Sequence, residues 1–272
     1  MSKEDSLLVA HVTHQAVRAH IKRGGVGILI TGSTECHGDH LPEGTDTFIA
    51  QAVALEVARQ CDGLVFPPFW FSYSGGTRPF PGTVTMPSHT QIAYTRAVID
   101  KLVCDGYRHL LHLQWHGPYY ANQQLTREIF EETGVPLAYF GLMTLPIMSS
   151  EEIVKLIGRD PFTRETTVAA GALSLLGLPH LLKSEGLADE QPAKRPEDAC
   201  LAAIGKVGGI VGHCYTDSTQ HLAVRTKVDA EAGRQVIFAL AREISSTVES
   251  LREYCTILDK RKATGRASQK QK

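Results

Sequence analysis

Val26-Gly27-Ile28-Leu29-Ile30-Thr31-Gly32-Ser33-Thr34-Glu35-Cys36-His37-Gly38-Asp39-His40-Leu41-Pro42-Glu43-Gly44-Thr45-Asp46 changes character partway along. Val26 to Thr31 is an apolar run and reads as a buried strand. The residues behind it carry four carboxylates and two imidazoles. Polar ligands massed where a buried strand ends are what a metal site in an α/β enzyme requires. Glu35 and His37 alternate, so in extended chain they point to one side and reach one small volume. Asp46 follows a turn containing Pro42 and Gly44 and opens a helix. An acid there also satisfies free backbone amides. A carboxylate has two oxygens, however, and is able to bridge two cations.

Outward from this stretch, strands and helices alternate. Thr47 to Gln60 has helical spacing and good helix formers. Gly63 to Phe66 reads as a second strand. Ser88 with Gln91 forms a capping box ahead of a helix to about Cys104. His109 to Leu113 is a third strand, Asn122 to Glu132 a helix, and Pro136 to Phe140 a fourth strand. Such alternation implies a parallel sheet with helices on both faces. Right-handed crossovers then bring every strand's C-terminal end to one edge. Further on, Thr166 to Leu176 reads as a helix of small residues, and residues 183–201 as loop. A strand is expected near Ile210 and Val211, and a long helix over Asp229 to Tyr254. One domain over residues 1–258 and a basic, disordered tail over 259–272 are expected, with no linker or repeat.

Composition narrows the function classes. The 272 residues are 43% hydrophobic and 21% charged, with a formal net charge of -1. That balance fits an ordinary soluble domain and disfavours nucleic acid or an anionic membrane as partner. No apolar run is long enough to span a bilayer, and the N-terminus lacks a signal-peptide pattern. The six cysteines are scattered without a CxxC pair. Reduced thiols in a cytoplasmic protein are the expectation.

Other residues compete for a place in the site. His116 ends the third strand, on the same sheet edge as Glu35 and His37, and reads as a ligand. Asp39, His40 and Glu43 read as supporting or solvated groups, with Asp39 a possible acceptor for a ligating imidazole. His109 and His112 read as core, and His213 and His221 as minor late contributors. Arg78, Arg159 and Arg164 suit hydroxyls, carboxylate or phosphate; Tyr73, Tyr119 and Tyr120 are candidates to line a pocket. A cysteine nucleophile at Cys36 is disfavoured, because it lies between two ligand positions and points away from both.

The run Gly32 to Asp46 resembles the creatininase-family signature G-S-T-E-x-H-G-x-H-L-P-x-G-T-D. Phe80-Pro81-Gly82-Thr83, Trp115-His116-Gly117 and Glu165-Thr166-Thr167 resemble the family's later F-P-G-T, N-G-H-G and E-T-S blocks, in order. Gly209, Gly212, Glu231 and Gly233 also fit. The resemblance implies a three-layer αβα fold with a mostly parallel central sheet, and a homo-oligomer, often a hexamer. It implies a metal-dependent hydrolase using one or two divalent ions (zinc, manganese or iron) on a small polar substrate. By position, Glu35, Asp46 and His116 would hold one ion, and His37 with the bridging Asp46 the other. Creatininase has a glutamate where this chain has Pro118, and Glu165 is the substitute. Glu165 and His116 are the expected catalytic groups, and Tyr73, Arg78, Tyr119 and Arg164 the expected substrate contacts. The stretch 141–164 lacks the tryptophans that pack on creatinine. The expected reaction is therefore cleavage of an amide-type C–N bond in another molecule, or ring opening of a keto-inositol. A non-catalytic binding protein that kept the fold is the alternative from another class, and Pro118 is its support.

Overall fold

The computed structural model describes residues 5–117 and 120–269, with side chains to residue 261. Pro118 and Tyr119 lie outside the described residues.

Four parallel strands form the sheet: β1 (Val26–Thr31), β2 (Gly63–Val65), β3 (His109–Gln114) and β4 (Leu137–Gly141), in the order β2-β1-β3-β4. The register pairs Val26 with His109 and Thr31 with Gln114. The two central strands therefore end together, and the chain leaving each, towards Glu35 and His116, emerges at the same edge.

Ten α-helices are described: α1 (His14–Lys22), α2 (Thr45–Cys61), α3 (Ser88–Cys104), α4 (Tyr120–Thr133), α5 (Glu151–Ile157), α6 (Pro161–Leu175), α7 (Asp198–Lys206), α8 (Thr219–Leu222), α9 (Ala230–Ser246) and α10 (Val248–Gln269). Side-chain alternation along the strands divides the core. Ile28, Ile30, Leu111 and Leu113 face a layer built from α2, α6 and α9. Leu29 and Leu110 face the opposite layer, with Ile99 of α3 and Leu125 and Ile129 of α4. This is the three-layer αβα arrangement. Within the first layer α6 and α9 cross with backbones in contact: a Cβ on Gly171 would lie 2.3 Å from the Gly233 carbonyl carbon, and one on Gly233 2.0 Å from Thr167 O. No side chain fits either position.

Local chemistry accounts for the departures from expectation. The capping box does not form: Pro87 precedes α3 without a side-chain cap, and Gln91 Oε1 accepts from Tyr73 N instead. α6 starts earlier than its small-residue run, because Asp160 caps it by accepting from Thr163 N and Pro161 takes the first helical position. The long C-terminal helix divides at Thr247, whose hydroxyl bonds back to Ile244 O, into α9 and α10. α10 runs on to Gln269, past the point where the sequence suggests a loose tail from residue 259. Its Lys, Arg, Ala and Gln content favours helix, and residues 270–272 lie outside the described residues. Ile210 and Val211 are exposed and form no strand. Among the described residues no helix is long and apolar enough to cross a membrane.

Candidate metal centre

Three pieces of chain converge at the sheet edge. The loop after β1 supplies Glu35 and His37, the first turn of α2 supplies Asp46, and the exit of β3 supplies His116. Close packing makes this possible. A Cβ on Gly32 would lie 2.3 Å from Thr47 Oγ1, so glycine lets the end of β1 rest directly on the start of α2. Glu165 reaches in from α6, and His221 from α8.

His116 Nδ1 lies 2.8 Å from Asp46 Oδ2 and 3.0 Å from Glu35 Oε1. His37 Nε2 lies 3.3 Å from Asp46 Oδ1 and 3.7 Å from Glu165 Oε1. The two oxygens of Asp46 thus face different imidazoles. Backbone carbonyls fix the rest of each ring: His37 Nδ1 donates to Glu35 O at 2.8 Å, and His116 Nε2 donates to Tyr73 O at 2.8 Å. Each ring is therefore held with its other nitrogen towards the carboxylates, as the tautomer of a ligating histidine must be. Ser33 Oγ donates to Asp46 Oδ2 at 2.7 Å, and Thr77 Oγ1 to Glu35 Oε2 at 2.6 Å.

The donors fall into sets of three. Glu35, Asp46 and His116 each offer an atom, all within 4.8 Å of one another; so do His37, Asp46 and Glu165, and so do Glu35, His37 and His221. The first two sets share Asp46. Carboxylate oxygen with imidazole nitrogen suits zinc, manganese or iron.

The electrostatics show why this cluster fits a cation. Glu35, Asp46, His37 and His116 are buried, and the ion pairs of these carboxylates run to imidazoles. Burial would raise the Asp46 carboxyl, but His37 and His116 hold it far below the usual range. Burial and His116 oppose each other in the same way at Glu35, with a net downward shift. Burial would lower His37, yet Asp46, then Glu165 and Glu35, raise it to about 10. His116 is likewise raised against burial by Asp46 and Glu35. Glu165 keeps 18% of its side chain exposed. Burial still dominates there, with Asp46 and Glu35 adding to it against His37, and its carboxyl rises to about 7. Two protons shared among three carboxylates are what a divalent cation would replace.

Of the supporting candidates, Asp39 is exposed, and the carbonyl of Glu35 takes the proton it was expected to accept. His40 is buried against Thr166 Oγ1 at 3.0 Å and lowered to about 4, by burial and then by the His37 charge. Glu43 is raised by burial. Cys36 is buried, its thiol pushed up by burial, and it joins no donor set. His112 packs in the core between Phe69 and Tyr139, as expected of it. His221, a minor contributor by its sequence, comes close to the site: its ring meets His37 at 5.4 Å between centroids. Nothing near it in sequence signals this, because the α8 backbone comes to the site from far along the chain. Ser33 alternates with Glu35, and that alternation was the legible sign of its role.

The expected substrate residues separate. Tyr73 and Arg78 line one cavity of about 590 Å³ with His213 and Cys214. Arg164 lines another, of about 250 Å³, with Glu165, Trp115 and Arg159. Tyr119 lies outside the described residues.

An αβα protein with a carboxylate–imidazole centre at the sheet edge can now be set against known proteins. The family model Creatininase (creatinine amidohydrolase) matches residues 10–248. The chain belongs to the creatininase family. It is 30% identical over 122 residues to 3-dehydro-scyllo-inosose hydrolase of Thermotoga maritima, covering 43% of this chain and 38% of that protein. It is 27% identical over 154 residues to creatinine amidohydrolase of Pseudomonas putida, covering 54% and 57%. It is 49% identical over 65 residues to the mycofactocin precursor peptide peptidase of Mycolicibacterium smegmatis, covering 22% and 26%. The matched span is thus under two thirds of each relative. A solved creatinine amidohydrolase (creatininase) superposes with a TM-score of 0.71 at 19% identity, covering 90% of this chain and 97% of that one. A manganese form of creatininase gives 0.70 at 18%, covering 90% and 98%. At these identities the structural likeness speaks to the fold.

Proposed function

We propose that the chain is a metal-dependent hydrolase holding two divalent cations, which cleaves an amide-type C–N bond in a small polar molecule. The observation that carries this reading is the pair of donor sets sharing Asp46: Glu35, Asp46 and His116 for one ion, His37, Asp46 and Glu165 for the other. Glu165 takes the place of the glutamate that Pro118 cannot supply. A bound divalent cation lowers the pKa of water from ~16 towards ~7 and polarises a carbonyl.

The protein's own groups do the rest. Ser33 and Thr77 orient the carboxylates, and the carbonyls of Glu35 and Tyr73 orient the imidazoles. His116 has one nitrogen tied to a carbonyl and the other aimed at Asp46, so it acts by positioning. Glu165 is the partly exposed carboxylate of its donor set, and one of its two oxygens would remain unengaged when the other meets the ion. It is the group placed to take a proton at the nucleophilic side and pass it to the leaving nitrogen.

Ring opening of a keto-inositol is the second reading. It is favoured by the Thermotoga maritima relative, at 30% identity, and by the absence of tryptophan between residues 141 and 164. A panel of formamides, lactams and keto-inositols, assayed with zinc-, manganese- and iron-loaded protein, separates the two. No turnover on any member by protein with a full metal complement would overturn the hydrolytic reading and favour a binding protein. Sedimentation of the same samples tests for the homo-oligomer.

A further inference from the structure

Building on the hydrolytic reading, we propose that the cleft beside Glu165 takes a substrate bearing a free oxyanion, carboxylate or phosphate, held between Arg159 and Arg164. Two adjoining cavities, of about 250 and 280 Å³, share Met148, Arg159 and Arg164, and the first reaches Glu165. Both arginines therefore line the same pair of neighbouring cavities, one of which is also lined by the donor Glu165.

Among the described residues neither guanidinium is paired with a carboxylate. Arg159 is exposed and makes no ion pair among the described residues. Its neighbour Asp160 is already engaged, accepting from Thr163 N at 2.9 Å and from Arg225 Nε at 3.1 Å. Arg164 donates Nη1 to Gly158 O at 2.8 Å and Nη2 to Met148 O at 2.5 Å. Those partners are neutral carbonyls. They fix the plane of the guanidinium without cancelling its charge, and its remaining N–H donors stay available. The two guanidiniums repel each other, and an oxyanion between them would offset that repulsion while accepting paired hydrogen bonds. Trp115, Met143 and Pro161 supply an apolar wall on the Glu165 side. That wall suits the short carbon skeleton between the anionic group and the bond at the metal centre. Arg78 lines a different cavity and takes no part.

The test uses the full chain loaded with zinc, with binding measured calorimetrically. The probes are N-acetylglycine, its neutral counterpart N-acetylglycinamide, and inorganic phosphate. Wild type should bind the acid roughly tenfold or more tighter than the amide. R159M should bring the two within about threefold by removing one charge-assisted contact, with zinc content and melting temperature unchanged. R164M should do the same; if it loses the fold with its two carbonyl bonds, R159M decides alone. Competition between phosphate and N-acetylglycine shows which oxyanion the recess prefers. Equal binding of acid and amide by wild type, no binding of either oxyanion, or a preference that survives R159M and so belongs to the metals, overturns the proposal. Zinc analysis of the same samples reports separately on the metal centre: full zinc without anion preference sinks only this inference.

Discussion

Replacing Gly171 by alanine tests whether the fold positions the second donor set as described. The new Cβ would lie 2.3 Å from Gly233 C and 2.4 Å from Arg234 N, both backbone atoms of α9. Carbon contacts are comfortable near ~3.5 Å, so the helices must separate by about 1 Å. No rotamer relieves a backbone clash, which puts the cost near the upper end of overpacking penalties, about 3 kcal/mol. For a domain of this size that is a fall in melting temperature of roughly 6–10 °C. The shift has a functional reading as well. Glu165 rides on α6, six residues before Gly171, and reaches His37 at 3.7 Å. Glu35, Asp46 and His116 come from other elements. Gly171→Ala should therefore weaken the His37–Asp46–Glu165 site and leave the Glu35–Asp46–His116 site filled. Calorimetric melting with metal analysis before and after dialysis reads both effects. Gly205→Ala is the control, since nothing lies within 4 Å of its Cβ position; it should change stability by under about 1 kcal/mol. A Gly171→Ala protein that melts with wild type and keeps two ions would refute the reasoning.

Removing donors should be graded: Asp46→Ala takes an oxygen from both sets and should leave no tightly held ion, whereas Glu165→Gln should leave one, as read by metal analysis. Loading metal-free protein at pH 7 should release about two to three protons, because His37 and His116 are held protonated, Glu165 is partly so, and all three must ligate without them. Calorimetry in two buffers of unlike ionisation enthalpy counts them, and a count of zero contradicts the donor assignment. His112 is lowered by burial from 6.5 to about 3. The unfolded chain therefore takes up a proton first as pH falls below 6.5, and stability drops through that window. At pH 5 this group alone costs about 2 kcal/mol. Thr31→Val with His112→Leu removes both members of the buried Thr31–His112 contact (2.7 Å) and should flatten that part of the urea-denaturation profile between pH 8 and 5. An unchanged slope would place the titration elsewhere.

The strands and the first donor set were legible because the signals are local. Val26 to Thr31 is apolar throughout, and Glu35 and His37 sit at a spacing that fixes their common side. The edge on which His116 joins them follows from parallel topology alone. What the sequence concealed is non-local. Gln91 has the spacing of a capping residue, yet its amide serves the Tyr73 backbone, a partner visible only once the loop is placed. His221 reaches the site through the packing of α8, with no periodicity to announce it. Arg78, Arg159 and Arg164 read alike as candidates for an anionic or hydroxylated substrate, and only the cavities separate Arg78 from the other two. The break at Thr247 turns on one hydroxyl bonding back to Ile244 O, and helical periodicity alone does not mark it.

The central claim is that Asp46 joins two metal positions. An anomalous-scattering map of crystals grown from zinc- or manganese-loaded protein tests it most directly. Two peaks are expected, one within bonding distance of Glu35, Asp46 and His116, the other of His37, Asp46 and Glu165. A single peak on Glu35, His37 and His221, or no peak touching Asp46, would contradict it.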